Sequence, residues 1–184
     1  NREDRKESPK VLSYEDAKRF KELFAYPATV SVTAFASGNS VIKYLSKKTD
    51  PNVRVLGGDE YYLSSSGYDI EKGRNFSKND MEQGAYAAIV GQDVVKKIFG
   101  NTDPLDKVMS IGASKYRVIG ILKSKGNNFG LSGDNQIIIP ISNLKLNYGT
   151  SETSFTLNIM VNSTPELESA IGEATGTFRV VRGD

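Results

Sequence analysis

The chain contains no cysteine, no histidine and no tryptophan. Without cysteine there is no disulfide framework and no thiolate chemistry, a usage compatible with an oxidising compartment but not diagnostic of one. Without histidine it lacks the commonest metal ligand and the side chain best suited to move protons near neutral pH. Ser-His-Asp and Cys-His catalysis are therefore excluded within these residues, and a zinc site would have to be built from carboxylates alone. No apolar run reaches the roughly 18–20 residues that a transmembrane helix needs, and no signal-peptide pattern is present. The phosphate-binding pattern G-x-x-x-x-G-K-[ST], a G-x-G-x-x-G after a strand and a G-x-S-x-G elbow are all missing, so ATP hydrolysis is not expected here. There is no internal repeat and no low-complexity stretch.

What is present is an ordinary globular balance, 38% hydrophobic and 25% charged in 184 residues, enough for one large domain or two small intertwined ones. The net charge of +2 argues against a nucleic-acid partner, which needs a basic face. The basic pairs Lys47 with Lys48 and Lys96 with Lys97 read as solvated surface lysines. The chain starts abruptly with Asn-Arg-Glu-Asp-Arg-Lys and no initiator methionine, which reads as an excised soluble piece of something longer.

Residues 1–10 are charged and aperiodic, a flexible arm. Ser13 with Asp16 three residues on predicts a capping box, and Ala17, Phe20, Leu23 and Phe24 give residues 14–24 helical spacing that ends before Pro27. Residues 28–36 alternate as a half-buried strand; Gly38 and Asn39 then turn the chain, 40–45 pairs back, and 53–56 forms a third strand. A short helix is expected within 59–66, a second capping box at Ser77 and Asp80, a strand over 85–90 and a helix over 92–99, closed by Gly100. Residues 107–111 and 116–122 read as a hairpin joined through 112–115, and 123–134 as a mobile glycine-rich loop. A short strand over 136–139 is closed by Pro140. Residues 154–161 alternate as a strand, and a last helix is capped by Thr164, with Leu167, Ile171 and Ala174 as its apolar stripe.

Carboxylates remain: Asp59 with Glu60, Asp80 with Glu82, and Asp103 with Asp106 are local clusters, and a secreted carboxylate-based hydrolase is one reading of them. Each lies in a turn or at a helix start, where acids cap helices and solvate loops. Tyr61 and Tyr62 form either a stacking platform for a ligand or a packing contact between two subdomains. Asn75-Phe76-Ser77 and Asn162-Ser163-Thr164 match the glycosylation acceptor pattern, too short a signal to carry weight.

Residues 67–122 carry a more specific order. Gly73-Arg74-Asn75-Phe76-Ser77 is followed by Asp80, then by Ala87-Ala88-Ile89-Val90-Gly91, Val94-Val95 and Ile98-Phe99-Gly100. Pro104-Leu105-Asp106-Lys107, Ile111-Gly112 and the run from Tyr116 to Leu122 complete it. This arrangement resembles the MacB-like periplasmic core domain of permeases of the MacB, LolC/LolE and FtsX group, with Asp106 standing where the family usually has glycine. Residues 136–140 look like its later strand.

The resemblance implies an α+β fold of two subdomains. One is a porter-like helix-on-sheet unit made from both chain ends, 11–57 and 150–184. The other is an inserted, sabre-like mixed α/β unit over 58–149. It implies a periplasmic domain of a bacterial inner-membrane permease that couples cytoplasmic ATP hydrolysis to work outside the membrane by mechanotransmission. The expected partners are a cytoplasmic ABC ATPase, a second permease protomer and a periplasmic adaptor, with no cofactor and no catalytic residue in this chain. Gly73, Arg74, Phe76, Asp80, Gly91, Phe99, Gly100 and Gly120 are expected to build the fold. Phe129 and Leu131, apolar in a solvated loop, are candidates for a partner contact. A free-standing secreted module binding peptide or glycan is the alternative.

Overall fold

The computed structural model describes residues 11–125, 133–150, 152–161 and 164–183. The expected arm, Phe129 and Leu131 lie outside the described residues.

Helix α1 (Tyr14–Leu23) starts at Ser13, whose hydroxyl accepts from the Asp16 amide while the Asp16 carboxylate accepts from the Ser13 amide. The same reciprocal box opens α3 (Lys78–Gln83) through Ser77 and Asp80, and Gly84 closes that helix in the left-handed conformation. Between them run β1 (Thr29–Ser40), β2 (Ile42–Tyr44), β3 (Lys47–Lys48), β4 (Val53–Gly58), α2 (Tyr62–Ser65) and β5 (Ile70–Gly73). After α3 come β6 (Ala87–Val90), α4 (Gln92–Ile98), β7 (Val108–Ile111), β8 (Ser114–Leu122) and β9 (Gln136–Pro140). The chain then forms α5 (Ile141–Tyr148), β10 (Phe155–Met160) and α6 (Thr164–Arg182). The α+β expectation holds.

The strands form one mixed sheet in the order β10-β1-β4-β9-β6-β8-β7-β2-β3, with β5 attached to β8. β4 pairs in parallel with β9, and β6 in parallel with β8; the other pairings are antiparallel. Strands from both expected sequence segments lie in this sheet. The apolar runs of β6 and β9 are buried throughout, as expected for central strands covered on both faces. α1 and α6 pack together over β1 and β10 through Phe20, Phe24, Val30, Ala174 and Val181.

Several local expectations change. Gly38 and Asn39 do not turn the chain: β1 runs on to Ser40, bending at irregularities after Phe35 and Ser37. At Gly38 a Cβ would lie 3.2 Å from the Phe35 ring, a close contact against a side chain that is itself 55% exposed. β2 therefore pairs with β7 and β3 rather than back on β1. The β7–β8 loop is tighter than expected, since Ile111 pairs with Ser114. α2 (Tyr62–Ser65) falls within the expected 59–66, with Asp59 and Tyr61 forming the turn that leads into it. α5 was not foreshadowed; it follows Pro140 directly and buries only Ile141, Asn143 and Leu144. On α6, Ala170 and Ala174 take the buried positions, whereas Leu167 and Ile171 stay exposed.

Candidate functional site

The end of β4 is where three distant segments meet. The chain leaves the sheet at Asp59, which is only 2% exposed. An unpaired buried carboxylate would be costly, and this one is fully engaged. It accepts from the Val32 amide at 2.9 Å, the Ser31 hydroxyl at 3.1 Å, the Tyr61 amide at 3.1 Å and Lys21 Nζ at 2.9 Å. The Asp59 amide donates in turn to the Val32 carbonyl at 3.2 Å. The carboxylate thus ties α1 to β1 and starts the turn into α2.

Lys21 also reaches Glu60 at 3.3 Å and lies 5.0 Å from the centre of the Tyr61 ring. Burial works against its charge, but the Asp59 hydrogen bond and the charges of Asp59 and Glu60 prevail, so its ammonium titrates above the ordinary lysine value. The Glu60 carbonyl accepts from Asn75 Nδ2 at 3.0 Å. The junction therefore continues into the Gly73-Arg74-Asn75-Phe76-Ser77 segment.

That segment is held rigidly. Gly73 has φ +82°, and Arg74, next to it, donates its amide to the Ile119 carbonyl at 2.9 Å. The Arg74 guanidinium grips Asp80 at 2.7 and 3.4 Å and also donates to the Asn75 carbonyl at 3.0 Å. Phe76 is buried among Leu63, Ile89, Ile119 and Ile138. Gly120 faces the same turn, where a Cβ would lie 2.6 Å from the Arg74 carbonyl oxygen. The structure thus brings together Gly73, Arg74, Phe76, Asp80 and Gly120. Gly91 lies apart against Asp134, whose carbonyl oxygen a Cβ would approach to 2.3 Å. Phe99 and Gly100 close α4, with the Phe99 ring 4.5 Å from Tyr44.

Desolvation alone would raise the Asp80 pKa, but the Arg74 bond and the two Ser77 hydrogen bonds more than offset it and hold the carboxyl below its usual range. A depressed folded-state pKa contributes stability above the unfolded value, lost as pH falls through the folded one. Asp80→Asn should therefore cost about 1–2 kcal/mol near neutrality. In denaturant titrations the gap to the parent chain should shrink once the pH falls below the ordinary aspartate range. A gap unchanged at pH 3 would rule out the charged carboxylate as its source.

An open cleft of about 650 Å³ lies beside the junction, bordered by α1, α3 and the start of α5. Its charged walls are Lys18, Lys21 and Glu22 on one side and Lys78 and Glu82 on the other. Tyr61 is 43% exposed at the cleft, whereas Tyr62 is buried and packs near Tyr68. The two rings do not make a joint platform. Of the acidic clusters, Asp59 and Asp80 are tied into ion pairs, and Asp103 accepts from the Leu105 amide. Among the described residues no group of three or more acidic side chains is placed to hold a metal ion.

Lys21 and Asn75 escaped the sequence reading. A lone lysine in the last turn of a helix carries no pattern, and Asn75 stood out only within the Gly73–Ser77 segment and the glycosylation acceptor pattern. The signal available was the acidic pair closing β4: buried there, Asp59 requires a cation from elsewhere.

A family model for the MacB-like periplasmic core domain matches residues 2–176. The ABC transporter permease YknZ of Bacillus subtilis (strain 168) is 31% identical over 145 residues, 78% of this chain and 35% of that protein. The macrolide export ATP-binding/permease protein MacB of Neisseria gonorrhoeae is 32% identical over 123 residues, 67% of this chain and 18% of that one. The chain therefore spans about a third of the first relative and under a fifth of the second. The solved extracellular domain of the noncanonic ABC-type transporter YknZ from Gram-positive bacteria superposes with a TM-score of 0.72 at 26% identity, covering 96% of this chain and 87% of that one. The periplasmic region of MacB from Actinobacillus actinomycetemcomitans gives 0.74 at 19% identity, covering 94% and 75%, a likeness of fold alone. With the family match running through nearly all of α1 to α6, the chain belongs to the MacB-like periplasmic core domain family.

Proposed function

We propose that this chain is the part of a bacterial ABC transporter permease that works outside the cytoplasmic membrane, and that it relays movement rather than performing chemistry. The observation that carries this reading is the junction at Asp59. It joins α1, which lies near the start of the chain, to the central sheet through Lys21, and the same turn reaches the Arg74–Asp80 segment through Asn75. A displacement of α1 is thereby delivered to both the sheet and the far wall of the cleft.

ATP hydrolysis belongs, in this reading, to a separate nucleotide-binding domain or subunit, with a second permease protomer and a periplasmic adaptor as further partners. Transmembrane segments belong to other parts of the permease; among the described residues no helix is long and apolar enough to cross a membrane. The division into a porter-like unit (11–57 and 150–184) and a sabre-like unit (58–149) supplies the moving parts, and Asp59 stands at the point where the first passes into the second.

The test places single cysteines at Lys18 and Lys78, on opposite walls of the cleft, in the full-length permease. This chain has no cysteine of its own to interfere. The rate of bridging by a short bifunctional reagent is measured with and without ATP and vanadate. Coupling predicts a nucleotide-dependent rate, and bridged protein that keeps basal ATPase activity while losing transport. If the rate ignores nucleotide and bridged protein still transports, the relay is wrong and a rigid ligand-binding module becomes the better account.

A further inference from the structure

The hairpin of β2 and β3 carries a residue the fold does not explain. Lys43 pairs with Lys48 and Tyr44 with Lys47, so the loop is the two residues Leu45 and Ser46. Leu45 has φ +51°, whereas Ser46 is not among the positive-φ residues. Glycine or asparagine suits the first position of such a turn, and a leucine there is strained. The side chain is nonetheless 87% exposed, the most exposed large apolar residue among the described residues. It gains nothing from burial in return for the backbone strain.

The hairpin is not loose at its base. The Tyr44 ring packs 4.5 Å from Phe99, and the Ile42 amide donates to Thr49 Oγ1 at 3.0 Å. Leu45 is therefore held out from the surface by a braced support. Lys43, Lys47 and Lys48 surround it, and Lys96 and Lys97 are exposed on α4, which packs against the same two strands. Among the described residues none of these five lysines forms an ion pair. The whole chain carries only +2, and five lysines against Asp50 and Asp93 make the hairpin end more basic than the molecule as a whole; α6, by contrast, sets Glu166, Glu168 and Glu173 against Arg179 and Arg182. β3 ends the sheet, opposite β10 in the strand order. Lysines on an edge strand discourage addition of another strand, but that role does not call for a strained leucine at the tip.

We propose that the Leu45 tip and its lysines dock on a protein partner whose surface is acidic and holds an apolar socket for one leucine. Charge complementarity selects the acidic surface, and the single projecting apolar side chain selects a socket. Anchoring in a membrane interface calls for a broader apolar face. The docking does not depend on the relay proposed above, because it is read as contact and not as transport.

The test uses the full-length permease in its own cells with a photoreactive benzophenone side chain at position 46. The expected result is an adduct with one protein through an acidic peptide. Lys43→Glu, Lys47→Glu and Lys48→Glu together should lower the adduct roughly tenfold, and reversing the acids of that peptide should restore it. Leu45→Gly should lower adduct yield by a similar factor while raising the melting temperature by roughly 2–4 °C, since strain is relieved and no buried contact is lost. Absence of a protein adduct, an adduct with lipid only, indifference to charge reversal, or a fall in melting temperature with Leu45→Gly would each overturn the proposal.

Discussion

Asp59→Ala is expected to destabilise the chain by about 3–5 kcal/mol, the range for removing one partner of a buried ion pair. The loss has two sources. The Val32 and Tyr61 amides and the Ser31 hydroxyl lose their acceptor in a site only 2% exposed. Lys21 loses its principal counter-charge, although at 26% side-chain exposure and with Glu60 at 3.3 Å it keeps partial compensation. Lys21→Met should cost less, about 1–2 kcal/mol, because Asp59 retains its three other donors. The double variant tests this division: a coupling of about 1–2 kcal/mol is expected from the cycle, read from denaturant midpoints. Strict additivity would mean that the ion pair contributes nothing and that Asp59 acts only through its neutral donors. The pH dependence follows from the raised Lys21 value. A raised folded-state pKa contributes stability below the unfolded lysine value that is lost as pH rises through the folded one. The coupling should therefore be complete at neutral pH and fade only in strong alkali.

This junction also marks how far the sequence could be read. Capping boxes are local, so Ser13 with Asp16 and Ser77 with Asp80 were visible as spacing, and both close as expected. The strands expected over 85–90 and 136–139, built on the apolar runs 87–90 and 137–139, announced themselves in the same way. Pairing was harder to see, because it depends on contacts between distant segments. Gly38 and Asn39 have the composition of a turn, yet the chain stays extended there and pairs on to Val53. α5 was hidden because only Ile141 and Leu144 give it an apolar face, while its third buried residue is polar. Asn143 donates to the Gly84 carbonyl at 3.1 Å and accepts from the Tyr116 hydroxyl at 2.5 Å. On α6, leucine and isoleucine outweigh alanine in any hydropathy count, but Ala170 and Ala174 take the buried positions, Ala174 in the cluster with Phe20 and Phe24 of α1. Lys21 and Leu45 were illegible for a shared reason: each is a single residue whose role is set by its three-dimensional surroundings and not by any periodic pattern.

Gly73→Ala is the second large effect, and two other glycines divide it into its causes. At Gly73 the backbone has φ +82°, and a Cβ would lie 2.2 Å from the Ile119 carbonyl oxygen, 2.8 Å from Leu105 Cδ2 and 2.9 Å from the Gly120 Cα. The oxygen it would strike is the one that accepts the Arg74 amide, so the clash cannot be relieved without parting β5 from β8. At Gly112 φ is +57° and nothing lies within 4 Å, so alanine there meets only the backbone strain of about 1 kcal/mol. At Gly91 φ is −75°, which any residue adopts, but the Asp134 carbonyl oxygen lies 2.3 Å from a Cβ; alanine there meets only the clash, about 1–3 kcal/mol for overpacking. If strain and clash are independent, Gly73→Ala should cost about their sum, roughly 2–4 kcal/mol or more. Denaturant midpoints of the three variants should therefore fall in the order Gly112→Ala, Gly91→Ala, Gly73→Ala, from mildest to most severe. A mild Gly73→Ala would mean that β8 yields at Ile119 and that the Arg74–Asp80 turn is adjustable. The segment would then be a flexible element, unable to hold Asn75 rigidly against Glu60. A severe effect at Gly73 with a mild one at Gly112 would instead place the cost in the contact between β5 and β8, the contact that holds the Arg74–Asp80 turn, and with it Asn75, against the sheet.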